Sequence, residues 1–133
     1  MVRPLIAQAE SGEATALHLI SAPELIFDED AVAKALSDAI DTATDSAQVK
    51  TQAVSILREA QKAGRAEIAR AFSIAPFDAR AMTSAYCYLT DQLVRSALQI
   101  ATQRLHPNSS TSEDDRLAVI GVGGYGRGEM APF

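Results

Sequence analysis

The sequence predicts a mainly α fold, in which about three helices lead into the first strand and glycine turn of an α/β domain. Three observations carry that prediction. Apolar side chains recur at three- and four-residue spacing in three stretches between residues 24 and 107, each opened by an aspartate. A polar run, Asn108 to Asp115, then interrupts the pattern. Finally, Leu117 to Val122 is a continuous apolar run rich in β-branched residues, and five of the seven glycines fall between 121 and 128.

The first long helix is expected from Asp28, whose carboxylate caps free N–H groups while Glu29 and Asp30 suit the positive end of the helix dipole. Val32, Leu36, Ala39, Ile40 and Ala43 supply its apolar face. The acid cluster at 28–30 is read as this helix start in preference to a metal site. A second helix starts near Asp45 or Ser46, where Asp45 and Gln48 have capping-box spacing. Val49, Ala53, Ile56, Leu57, Ala60, Gly64, Ile68 and Ala71 form its stripe. Gly64 costs about 1 kcal/mol relative to Ala in a helix, so it marks close packing of another element. Arg58, Lys62 and Arg65 read as a solvated basic row. The third helix is capped by Asp78, buries Met82, Ala85, Tyr86, Leu89, Leu93, Val94, Ala97, Ile100 and Ala101, and ends at His106-Pro107. Tyr86, Tyr88 and Met82 are read as core, and Cys87, with no histidine base nearby, as a packing residue.

These elements divide the chain into a tail over 1–23, a helical region over 24–107, a loop over 108–115 and the start of an α/β domain over 116–133. His18, in the tail, has no neighbouring ligands that would make it a metal site. At 133 residues there is room for one domain. The net charge of −5 argues against nucleic-acid binding, which needs clustered Lys and Arg. A single cysteine excludes an internal disulfide and suits a reducing cytosol, so a cytoplasmic location is expected. No run is long and apolar enough to span a membrane, and residues 5–9 are too short for a signal segment.

The glycine segment carries the chemistry. Gly-Gly at a strand end lets the backbone pass through positive φ and approach a ligand, because no Cβ intervenes. Exposed amides in such a turn form an anion cradle. Gly123 and Gly124 with Arg127, a fixed positive charge with a forked donor set, therefore read as a phosphate-binding turn. Gly121, Gly123 and Gly126 formally satisfy the dinucleotide fingerprint, but Gly126, Gly128 and Pro132 interrupt the helix that motif requires. A P-loop is excluded, since no Gly-Lys-Ser/Thr follows.

The run L-A-V-I-G-V-G-G-Y-G-R-G-E-M-A-P-F resembles the opening of the nucleotidyltransferase domain in the bifunctional PII uridylyltransferase/uridylyl-removing enzymes. The match covers Gly123, Gly124, Tyr125, Gly126, Arg127, Gly128, Glu129 and Pro132, with Met130 where that family usually has Leu. The resemblance implies a parent enzyme that transfers uridylyl from UTP to the PII signalling protein and removes it hydrolytically, with glutamine sensed by further domains. It implies triphosphate contacts at Gly123 and Gly124, Mg²⁺ held by an Asp-x-Asp pair, and a positioning role for Arg127. After Val122 this chain has Glu129 as its one acid. The residues are thus expected to form an N-terminal piece that on its own binds neither Mg²⁺ nor UTP and is inactive, with an aggregation-prone segment at 117–122. The alternative is a helical protein-interaction module without nucleotide chemistry.

Overall fold

The computed structural model describes residues 18–106 and 118–130. Its elements are the short α1 (Pro23–Ile26), then α2 (Glu29–Thr42), α3 (Ser46–Ile74) and α4 (Ala79–Ile100). A π-helical turn (Ala101–Leu105) follows, and, beyond the undescribed residues 107–117, the single turn α5 (Gly123–Gly126). Mainly α architecture is the observed fold class. The three long helices begin where the aspartates place them. Asp28, Asp45 and Asp78 accept from the backbone N–H groups of Ala31, Gln48 and Ala81 at 2.9, 2.7 and 3.1 Å. Each thus satisfies one of the donors that a helix start leaves without an intrahelical partner. Gln48 also reaches back, its Oε1 accepting from Thr44 N at 2.7 Å, one residue before the cap.

Helix α3 is the axis of the bundle, packing against α1, α2 and α4. Two apolar clusters hold it there. The larger joins Ile26, Phe27, Ile68, Ala85, Tyr86 and Leu89, with Met82 and Tyr88 partly buried against it. The smaller joins Leu36, Ala53 and Ile100. Gly64 is buried at the centre of the first contact: a Cβ there would lie 2.5 Å from the Ile26 carbonyl oxygen and 2.7 Å from Leu89 Cδ1. The glycine thus allows α1 and α4 to close on α3, as its cost in a helix interior foretold. Cys87 is buried and free. Of the basic row, Arg58 and Lys62 are exposed, and Arg65 lies with its guanidinium 5.3 Å from the centre of the Tyr86 ring.

One segment departs from the sequence reading, and a second lacks the neighbours its expected form needs. Residues 18–22, assigned to a tail, pack: Leu19 and Ile20 lean on the larger cluster, His18 Nε2 lies 2.8 Å from Asp78 Oδ2, and Ser21 donates to Glu67. They lead directly into α1, which has Pro23 in its first turn and delivers Ile26 and Phe27 to the core. Residues 1–17 of that tail lie outside the described residues. The second is 118–122, within the run expected as a strand buried on both faces. Val119, Ile120 and Val122 are 57%, 78% and 75% exposed, and no strand occurs among the described residues. Val122 is extended, at φ −127° and ψ 164°. An extended segment becomes a strand only when a neighbour takes its N–H and C=O groups, and the described residues offer none. Leu117 and the loop over 108–115 lie outside the described residues.

Candidate functional site

The glycine segment folds into one helical turn closed by its own backbone. Gly126 N donates to Val122 O at 3.1 Å, Gly128 N to Tyr125 O at 3.0 Å and Glu129 N to Gly124 O at 2.8 Å. Arg127 N is shared between the carbonyls of Gly123 and Gly124, each at 3.2 Å. These bonds use the amides from Gly126 onward. The amides of Gly123, Gly124 and Tyr125 lead the turn, where no carbonyl four residues back belongs to the helix. Gly123 has φ +63°, the left-handed region that a side chain disfavours. Gly126 is required by crowding instead: a Cβ there would stand 2.5 Å from Gly121 O. The positive-φ turn expected from the Gly-Gly pair is therefore present, and it is centred on Gly123.

Arg127 Nε lies 3.3 Å from Glu129 Oε2, with both side chains about two-thirds exposed. An exposed pair of this kind is worth roughly 0–1 kcal/mol, so Arg127 can turn to another anion at little cost. Gly123, Gly124 and Arg127 lie within one turn. Among the described residues the turn does not fit Mg²⁺: its carboxylate, Glu129, faces a guanidinium, and Asp91 on α4 accepts the Tyr125 hydroxyl. Divalent-metal sites for phosphoryl chemistry are built instead from carboxylates converging on one point.

The turn sits against α4. The Tyr125 hydroxyl donates to Asp91 Oδ1. This bond, with partial burial second, pushes the phenol up to about 12. One residue along, Thr90 Oγ1 lies 3.2 Å from Met130 Sδ, and Met130 packs on the larger core cluster. Between turn and helix runs an open cleft of about 750 Å³ whose lining includes Asp91, Arg95, Leu98, Val119, Gly121 and Tyr125. Burial pushes the Cys87 thiol on its wall upward, the opposite of what a nucleophile needs. The sequence reading missed Asp91 and Thr90, and placed Met130 in the motif without its contact to α4. A faint signal existed: Cys87, Asp91, Arg95 and Leu98 share one face of α4, beside the face that fills the core.

A helical body carrying a glycine turn with leading amides and an adjacent arginine fits the nucleotidyltransferase class. Comparison with known proteins agrees. The chain belongs to the family described as glutamate-ammonia ligase adenylyltransferase, whose model matches residues 4–132. Its curated relatives include the bifunctional uridylyltransferase/uridylyl-removing enzymes of Ruegeria pomeroyi, Cereibacter sphaeroides and Rhodospirillum rubrum. They are 47%, 40% and 31% identical over 108, 109 and 113 residues, covering 81%, 80% and 85% of this chain. The chain spans 12% of the length of each of these relatives. No solved structure matches it. The resemblance drawn from the glycine motif is thus borne out across most of the chain. No helix among the described residues is long and apolar enough to cross a membrane.

Proposed function

We propose that this chain contributes the triphosphate-binding turn, and the helical body supporting it, to an enzyme that uridylylates the PII signalling protein from UTP. The same enzyme would remove the group hydrolytically in response to glutamine, through parts that lie outside these residues. The observation that supports this reading is the turn itself. Gly123 is held at φ +63° with the amides of Gly123 and Gly124 leading, and the Arg127 side chain is engaged in an exposed pair with Glu129. Phosphoryl and nucleotidyl transfer depend on positioning and charge neutralisation. Amides of Gly123 and Gly124 hold phosphate oxygens, and Arg127 leaves Glu129 to neutralise part of the triphosphate charge. Glu129, engaged with Arg127, orients it and is not a base. Mg²⁺ is used by the whole enzyme and is held by carboxylates other than those of this turn. The family description names adenylyl transfer and the relatives are named for uridylyl transfer. We favour uridylyl because three relatives sharing that name align over at least 80% of the chain.

The test is a graft. This chain replaces the matching segment of the Ruegeria pomeroyi relative, and UTP-dependent transfer to PII is measured. The graft is expected to retain transfer, with UTP preferred to ATP. Gly124→Val, whose Cβ would stand 3.0 Å from the Glu129 carbonyl oxygen, is expected to abolish it. Full transfer by the Gly124→Val graft would overturn the assignment of the turn.

A further inference from the structure

We propose that Asp91 is a positioning residue for the glycine turn, its carboxylate accepting the Tyr125 hydroxyl and fixing the turn to α4. The inference rests on the function proposed above in one respect only, that the turn so fixed is the one that binds phosphate. Between Gly123 and Gly126 the chain offers a single side chain beyond hydrogen, that of Tyr125. A glycine-rich turn has more backbone freedom to lose than any other, so it holds a geometry only if something outside it supplies the constraint. Its own hydrogen bonds close the turn but do not orient it on the body. Among the described residues, orientation comes from contacts with α4, including those on its adjacent residues Thr90 and Asp91. Asp91 takes the Tyr125 hydroxyl, and Thr90 meets Met130, whose side chain is seated on the core cluster. The two anchors flank Arg127, so they fix both the leading amides and the arginine relative to α4.

A hydrogen bond to an ionised carboxylate is stronger than one between neutral groups, and its loss is felt as roughly a tenfold change in a local equilibrium. Asp91 and Tyr125 lie on the cleft side of α4, away from the buried Leu89 and Ala85. Removing their bond therefore frees the turn without opening the helical core.

The experiment is amide hydrogen exchange on the whole chain, resolved by residue, for the wild type, Asp91→Ala, Asp91→Asn, Tyr125→Phe and the Asp91→Ala/Tyr125→Phe double variant. UTP affinity is measured alongside on each variant grafted into the Ruegeria pomeroyi relative. Exchange at Gly126 to Glu129 is expected to rise about tenfold in both Asp91→Ala and Tyr125→Phe, and no further in the double variant. Asp91→Asn, which keeps an acceptor, is expected to restore most of the protection. Exchange in α2 and α3 and the thermal midpoint are expected to stay unchanged, which a generally structural role for Asp91 would not allow. UTP affinity should fall about tenfold with the same non-additivity. Unchanged exchange in the turn, or additive effects in the double variant, would overturn the positioning role. Faster exchange with unaltered UTP affinity would leave Asp91 anchoring the turn and instead refute phosphate binding by it.

Discussion

Gly64 on α3 and Leu89 on α4 touch with no space for a methyl group between them. A Cβ at position 64 would lie 2.7 Å from Leu89 Cδ1 and 2.5 Å from the carbonyl oxygen of Ile26. Three elements therefore meet at one hydrogen atom. Gly64→Ala gains about 1 kcal/mol of helix propensity. Overpacking costs about 1–3 kcal/mol, and the upper end applies where a backbone carbonyl must move. The penalty wins, and Gly64→Ala is expected to lower stability by about 1–2 kcal/mol in urea denaturation. A more stable variant would show that α1 does not close on α3 as described.

Glu67 sets a pH dependence. Arg70 donates to both its oxygens, at 2.8 and 2.7 Å, and Ser21 also donates. The Arg70 bonds first, then Ser21, draw the carboxyl down from its ordinary 4.5 to about 2. A folded-state value below the unfolded one means stability that is full above about pH 4.5 and is lost as pH falls toward 2. Thermal midpoints of wild type and Glu67→Gln should therefore converge across that window, with the wild type ahead above it. Parallel curves would contradict the pairing. The segment from His18 to Ser21 should loosen over the same range, since Ser21 loses its charged acceptor.

Val119, Ile120 and Val122 form an exposed, β-prone segment without proline. Such segments pair with copies of themselves when their N–H and C=O groups have no other partner. Ile120→Lys, changing the most exposed of the three, is expected to raise the concentration at which the chain stays monodisperse in light scattering. Equal aggregation of the two proteins would place the sticky surface elsewhere, with Phe77, 98% exposed, the next residue to change.

Features of the fold that depend on nearby residues were legible in the sequence. An aspartate caps an amide three residues on, so Asp28, Asp45 and Asp78 could be assigned from local pattern. Gly64 was legible because its cost in a helix needs a cause. Helix α1 was not, because four residues give no periodicity; Pro23, placed at the end of the tail, starts a helix. Residues 18–22 were misjudged for a similar reason, since their partners Glu67 and Asp78 lie 46 and 60 positions away. The glycine turn was legible in its backbone needs at Gly123. Its attachment through Asp91 was not, because a single contact across 34 residues leaves no repeating trace.

The central claim is that the backbone of this turn binds phosphate oxygens, and UTP titration of the amide resonances of this chain, segmentally labelled within the graft, tests it most directly. The account predicts shifts at Gly123, Gly124 and the Arg127 side chain that saturate with UTP, weaken with added salt and leave α2 and α3 untouched. Saturable UTP binding that moves α2 or α3 while Gly123 and Gly124 stay still would contradict it.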